Sequence, residues 1–182
     1  MTTYYVKLVD HTISTENSII TGICNEFQDI LNKCMEGSND DVQVSWGTGA
    51  DSDNVVLHFV DDVDHSYLKQ QFNLPDFNKD IAGHTHWSGS MRKVGSEFYK
   101  FFGLPRRTGS NQEYAKYAGH ELIHNLYPAW TDVDMHDRDG TGLACGNFIP
   151  PNRCGATLPV TDKNKATVQN GFSVTNSYTQ LL

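Results

Sequence analysis

The residues best suited to chemistry lie in one segment, GHELIHN at residues 119–125, which carries the pattern H-E-x-x-H. His120 and His124 are four residues apart, and on a helix this spacing directs both imidazoles from the same face. Two neutral histidine nitrogens form half of a tetrahedral zinc site. Glu121 lies about 100° round the helix from His120, which suits a general base acting on metal-activated water better than a ligand. The segment therefore predicts a zinc centre that hydrolyses its substrate.

A low random expectation and the helical wheel both favour the interpretation as a zinc site. With eight histidines in the chain, roughly 0.01 H-E-x-x-H matches are expected at random. The alternative is a pair of surface histidines beside an incidental glutamate. On a helical wheel the apolar residues gather on the side opposite the histidines, which favours one core face and one chemical face. The core side carries Ala115, Ala118, Leu122 and Leu126, and the chemical side also carries Glu113, Tyr117 and Tyr127.

Residues at both ends of this segment carry the signals of a helix start and a helix stop. Ser110 and Glu113 have the spacing of a capping box, in which the two residues satisfy each other's backbone amides. Pro128 removes a backbone donor and ends the helix. The pattern thus predicts a helix that begins at Ser110 and stops before Pro128.

The remaining elements predict one α/β (α+β) domain over residues 1–182. Helical spacing predicts helices at about 15–35, stopped by Gly37, and at 161–170, stopped by Gly171. Residues 96–102 are aromatic but have no clear assignment. The order of elements favours an α/β or α+β domain built on one mixed sheet. Strands are expected at 4–9, 42–46 and 55–60, with an edge strand at 82–87.

Composition excludes several classes of partner. The 182 residues include 14 basic and 22 acidic side chains, a formal charge of −8. This balance argues against nucleic acid and anionic membranes, which select for Lys and Arg. No apolar run approaches the roughly 20 residues of a membrane span. We expect a monomer with no nucleic-acid partner and no membrane span.

The four cysteines indicate the compartment only weakly. Cys24 and Cys34 are ten residues apart on one predicted helix, so their separation forbids a disulfide and predicts buried free thiols. Cys145 and Cys154 flank a loop that a bridge would stiffen. The first residues lack the layout of a signal peptide. We expect a secreted protein starting from a mature form, with the cytoplasm as the alternative.

A zinc ion that keeps one position for water needs a third protein ligand. Oxygen and nitrogen donors follow the helix at Asp132, Asp134, His136, Asp137 and Asp139. The same acidic loop, Asp132 to Asp139, is a candidate calcium site, since hard oxygen ligands are dense there. A solvated loop is the simpler interpretation of that stretch. His84 and His86 are a further candidate metal pair, with surface or cleft histidines as the alternative.

The segment HELIHNL at 120–126, followed by DMHD at 134–137 and CGN at 145–147, resembles the metzincin metallopeptidases. It is most similar to the adamalysin/reprolysin branch, whose pattern is H-E-x-x-H-N-L-G-M-x-H-D, and the similarity covers about residues 110–155. The resemblance implies a zincin-like fold, with a mixed, twisted sheet packed on a backing helix and an active-site helix. It also implies that His120, His124 and His136 hold one Zn²⁺ and that Glu121 is the catalytic base.

The chain departs from that family pattern after the second histidine. The family places its third histidine six residues later, where this chain has Trp130, whereas His136 lies twelve residues on. An insertion around 127–133 would account for the difference. No methionine follows Met135, so the family's Met-turn has no counterpart. Asp132 remains the alternative third ligand, because a related branch of small peptidases uses aspartate there.

Together these observations predict a zinc-dependent endopeptidase that acts on protein or peptide substrates, with Glu121 as general base. One alternative is a zinc hydrolase that acts on another amide or ester. The other is a binding module whose zinc is structural and has all four positions filled by the protein.

Overall fold

The computed structural model describes residues 1–10, 17–48, 54–60, 84–85, 99–103, 110–126, 142–143 and 160–178. These residues form an α/β arrangement of five strands and three helices. In chain order they are β1 (Thr3–Asp10), α1 (Asn17–Met35), β2 (Asp41–Trp46), β3 (Val55–Val60), β4 (His84–Thr85), β5 (Tyr99–Gly103), α2 (Asn111–Leu126) and α3 (Asp162–Tyr178).

The strands form one mixed sheet in the order β2-β1-β3-β5-β4. β1 pairs in parallel with β2 and β3, and β3 pairs in parallel with β5. β4 pairs antiparallel with β5 and lies at the edge of the sheet, as predicted. The stretch without a predicted assignment, 96–102, overlaps β5, which pairs with β3 on one side and with β4 on the other.

The helices cover one face of the sheet and build the core with it. Along β1 the side chains of Tyr4, Val6 and Leu8 are buried, while Tyr5 on the other face is 45% exposed. Phe27 on α1 and Phe172 on α3 are fully buried in the same cluster. Alternating burial along a strand is what a sheet covered on one face requires.

The end of α1 follows the sequence prediction. The helix stops at Met35, and Gly37 takes a left-handed backbone conformation with φ +83°. The Ser38 amide donates to the Met35 carbonyl at 2.9 Å. Glycine adopts this conformation without the steric cost that a side chain imposes, so it terminates the helix here.

The predicted end of the last helix is wrong. α3 continues through Gly171 to Tyr178. A Cβ atom on Gly171 would lie 2.5 Å from the Leu126 Cβ and 2.7 Å from the Leu126 carbonyl oxygen. Gly171 therefore permits α3 to cross the end of α2 closely, and it does not terminate the helix.

The Gln28 side chain covers part of the exposed edge of β2. Its Nε2 donates to the Val42 carbonyl at 2.9 Å, and its Oε1 accepts from the Val44 amide at 2.7 Å. A side-chain amide thus makes the pair of hydrogen bonds that a residue of a neighbouring strand would make.

Cys24 and Cys34 are buried free thiols, as predicted. Burial raises the pKa of each thiol to about 12. The unfolded chain ionises its thiols near pH 8.5, so above that pH it loses protons that the folded state retains. We expect the free energy of unfolding to fall by about 1.4 kcal/mol per pH unit for each thiol as the pH rises from about 9 towards 12.

Urea unfolding measured at several pH values above 8 tests this expectation. Tyrosines and lysines titrate in the same range, so the comparison is with the double variant Cys24→Ala/Cys34→Ala. The wild-type protein should lose stability more steeply than the variant. Equal slopes would show that the two thiols ionise as readily in the folded state as in the unfolded chain.

Candidate metal centre

Helix α2 has the buried core face that the sequence predicts. The residues of its core face are fully buried; they are Ala115, Ala118, Leu122 and Leu126. On the other face His120 is 8% exposed, and Glu121 beside it is 4% exposed. His124, one turn further on, is half-buried. The helix therefore fixes these three groups against the core, with His124 as the most accessible.

The two imidazoles converge. The Nε2 atoms of His120 and His124 lie 3.1 Å apart, and their rings meet edge to face with centroids 4.7 Å apart at 78°. Two nitrogens bound at about 2.0–2.1 Å to one tetrahedral zinc ion lie about 3.3–3.4 Å from each other. The observed separation is close to that value, so the pair fits two ligands of a single zinc ion.

A backbone carbonyl fixes the tautomer of His120. The Nδ1 atom lies 2.8 Å from the Leu143 carbonyl oxygen, which can only accept, so Nδ1 carries the proton. In the neutral ring Nε2 then carries a lone pair, and His124 Nε2 lies 3.1 Å from it. Two ring nitrogens at this distance need a proton or a cation between them. The pair is therefore built to share one or the other, and a carbonyl acceptor on the far nitrogen is the usual support of a zinc-binding histidine.

The segment that supplies this carbonyl packs tightly on α2. Gly142 has φ +75°, and the Leu143 side chain is 1% exposed. A Cβ on Gly119 would lie 2.9 Å from the Leu143 Cδ2 atom. Glycine at 119 thus gives Leu143 room beside the first histidine of the pair.

Several predicted site residues lie outside the described residues. They are Asp132, Asp134, His136, Asp137 and Asp139, together with His86, Cys145 and Cys154. Within the described ranges, no three His, Cys, Asp or Glu side chains lie close enough together to hold a metal ion. The third zinc ligand, the calcium site and the Cys145–Cys154 bridge therefore remain predictions.

Lys116 and Leu143 add to the site without having been predicted. Lys116 is only 8% exposed and lies one turn before His120 on the same face of α2. Its spacing of four residues from His120 could have drawn attention to it. Leu143 contributes a backbone carbonyl from a segment distant in sequence, and no side-chain pattern identifies such a group.

No protein-family model and no curated protein sequence matches the chain. None of the helices in the described residues is long and apolar enough to cross a membrane.

Proposed function

We propose that the protein is a zinc-dependent endopeptidase. The observation that carries this proposal is the 3.1 Å separation of the His120 and His124 Nε2 atoms, with the far nitrogen of His120 bonded to a carbonyl. Two histidine nitrogens in this arrangement suit a zinc ion, and Glu121, which follows His120 in the H-E-x-x-H pattern, is the candidate general base.

The roles of the residues follow from this arrangement. His120 and His124 would hold the ion through their Nε2 atoms. When bound, zinc acts as a Lewis acid and lowers the pKa of water to about 7. The Glu121 carboxylate takes a proton from the attacking water and delivers it to the nitrogen of the leaving amine. Glu121 is only 4% exposed, so burial restricts the motion of its side chain.

The third ligand is proposed from sequence alone. His136 is the residue implied by the resemblance to metzincins, and Asp132 is the alternative. Both follow α2 in the chain. The choice matters for chemistry, since three protein ligands leave one position for solvent, as a catalytic zinc site requires.

The sheet supports a peptide as substrate. β4 is an edge strand, and it contacts α2. An edge strand offers backbone groups to which an extended peptide can add as a further strand. The α/β arrangement with one antiparallel edge strand is consistent with the zincin-like fold that we propose.

Metal content and inhibition test the proposal. We expect one zinc ion per chain, casein digestion into fragments, and inhibition by a hydroxamate that competes for the open position. Sequencing the products distinguishes an endopeptidase from an enzyme that removes terminal residues. Zinc binding without hydroxamate competition would indicate a structural site, and hydroxamate binding without cleavage of any protein would indicate another zinc hydrolase.

A further inference from the structure

Leu143 is anchored from two helices at once. Its carbonyl accepts from His120 Nδ1 on α2 at 2.8 Å. Its amide donates to the Asn164 side-chain oxygen Oδ1 on α3 at 3.0 Å. The Leu143 side chain is buried between these two contacts, so both backbone groups of the residue are held.

Asn164 belongs to the capping arrangement at the start of α3. The Asn164 amide donates to Thr161 Oγ1 at 3.2 Å, and the Thr161 amide donates to Asn164 Oδ1 at 3.2 Å. This reciprocal pair is a capping box with asparagine at its third helical position. Asn164 Oδ1 therefore accepts from two amides, that of Thr161 in the cap and that of Leu143. The Asn164 residue is only 1% exposed.

We propose that Asn164 is a positioning residue for the metal centre, acting through Leu143 on the orientation and tautomer of His120. The inference rests on the proposed function, since it requires His120 to be a zinc ligand. When the Asn164 oxygen is removed, the Leu143 amide loses its acceptor and the residue can rotate. The carbonyl then no longer holds the His120 Nδ1 proton in place, and the Nε2 lone pair is less well directed.

Three variants separate this role from simple capping. Asn164→Ala removes the acceptor for both amides, whereas Asn164→Asp keeps an oxygen for each of them. Thr161→Ala is the matched control, because it removes half of the cap and leaves the contact between Asn164 and Leu143 intact. Each variant is studied as the full chain.

The measurements are zinc affinity, by competition with a chromophoric chelator, and the His120 tautomer in the zinc-free protein, by nitrogen-15 NMR of the ring. Loss of an outer partner of a zinc ligand lowers metal affinity about 10–100-fold. We expect about a tenfold loss for Asn164→Ala, with a smaller Nδ1–H population at His120. Asn164→Asp should retain most of the zinc affinity and of the Nδ1–H population. Thr161→Ala should lower the free energy of unfolding without changing the zinc affinity or the His120 tautomer.

The outcomes distinguish the two proposals. If the wild-type protein binds no zinc tightly, the proposed function fails, and the tautomer measurement alone decides whether Asn164 orients His120. If zinc binds and Asn164→Ala behaves like Thr161→Ala, the positioning role is wrong and the function stands. If Asn164→Ala does not fold, Asn164→Asp keeps the role falsifiable: it retains an oxygen for each amide, so a loss of zinc affinity or of the Nδ1–H population despite native folding overturns the role.

Discussion

Replacing Glu121 by glutamine is expected to lower kcat/KM for peptide hydrolysis about 10²–10⁴-fold, which is the usual contribution of a general acid–base group. Glutamine has nearly the same shape as glutamate, but its amide cannot take a proton from water at neutral pH. Because zinc is held by the histidines in this proposal, zinc affinity should change little.

The measurement pairs peptidase kinetics with zinc content and the free energy of unfolding. Glu26→Gln, on α1, is the matched control, because it removes one carboxylate from a partly exposed position outside α2. It should retain wild-type kinetics. Substantial activity of Glu121→Gln with one zinc ion bound would contradict the assigned role. Loss of zinc from this variant would indicate that Glu121 is a ligand.

Replacing His124 by alanine is expected to weaken zinc binding about 10²–10⁴-fold, since one of three protein ligands carries about a third of the binding free energy of such a site. His124 is half-buried, so its removal should disturb the core less than removal of the buried His120. Activity should be lost in both variants, together with the metal.

Thermodynamic linkage gives a second measurement of the same loss. Zinc at a thousand times its dissociation constant stabilises the wild-type fold by about 4 kcal/mol. At that zinc concentration the free energy of unfolding of His124→Ala should rise far less. In excess chelator its free energy of unfolding should stay near the wild-type value. If the variant gains as much from zinc as the wild-type protein does, the ion is bound elsewhere and the convergent pair is not a ligand set.

Helix α2 could be predicted from sequence because its signals are local. Periodic alanines and leucines define a buried face, and the histidine spacing defines the other. The fully buried Ala118 and Leu122 confirm the first of these, and the converging Nε2 atoms of His120 and His124 agree with the second.

Features that depend on distant contacts could not be predicted. Gly171 has the sequence context of a helix stop, yet it accommodates the close approach of Leu126. The Leu143 carbonyl comes from a segment whose path depends on the packing of α2 against α3. Its anchor, Asn164, could have been noted as a capping residue from the spacing Thr161-x-x-Asn164, but its second hydrogen bond depends on tertiary structure.

The Gln28 contact has a consequence for the way in which the sheet can associate with other chains. Lateral growth at β2 would first have to displace the glutamine amide from Val42 and Val44. Those two backbone groups are already satisfied within one chain, so an intruding strand gains little there. The Gln28 contact thus protects this edge of the sheet against edge-to-edge association of copies, which becomes more frequent as the protein concentration rises.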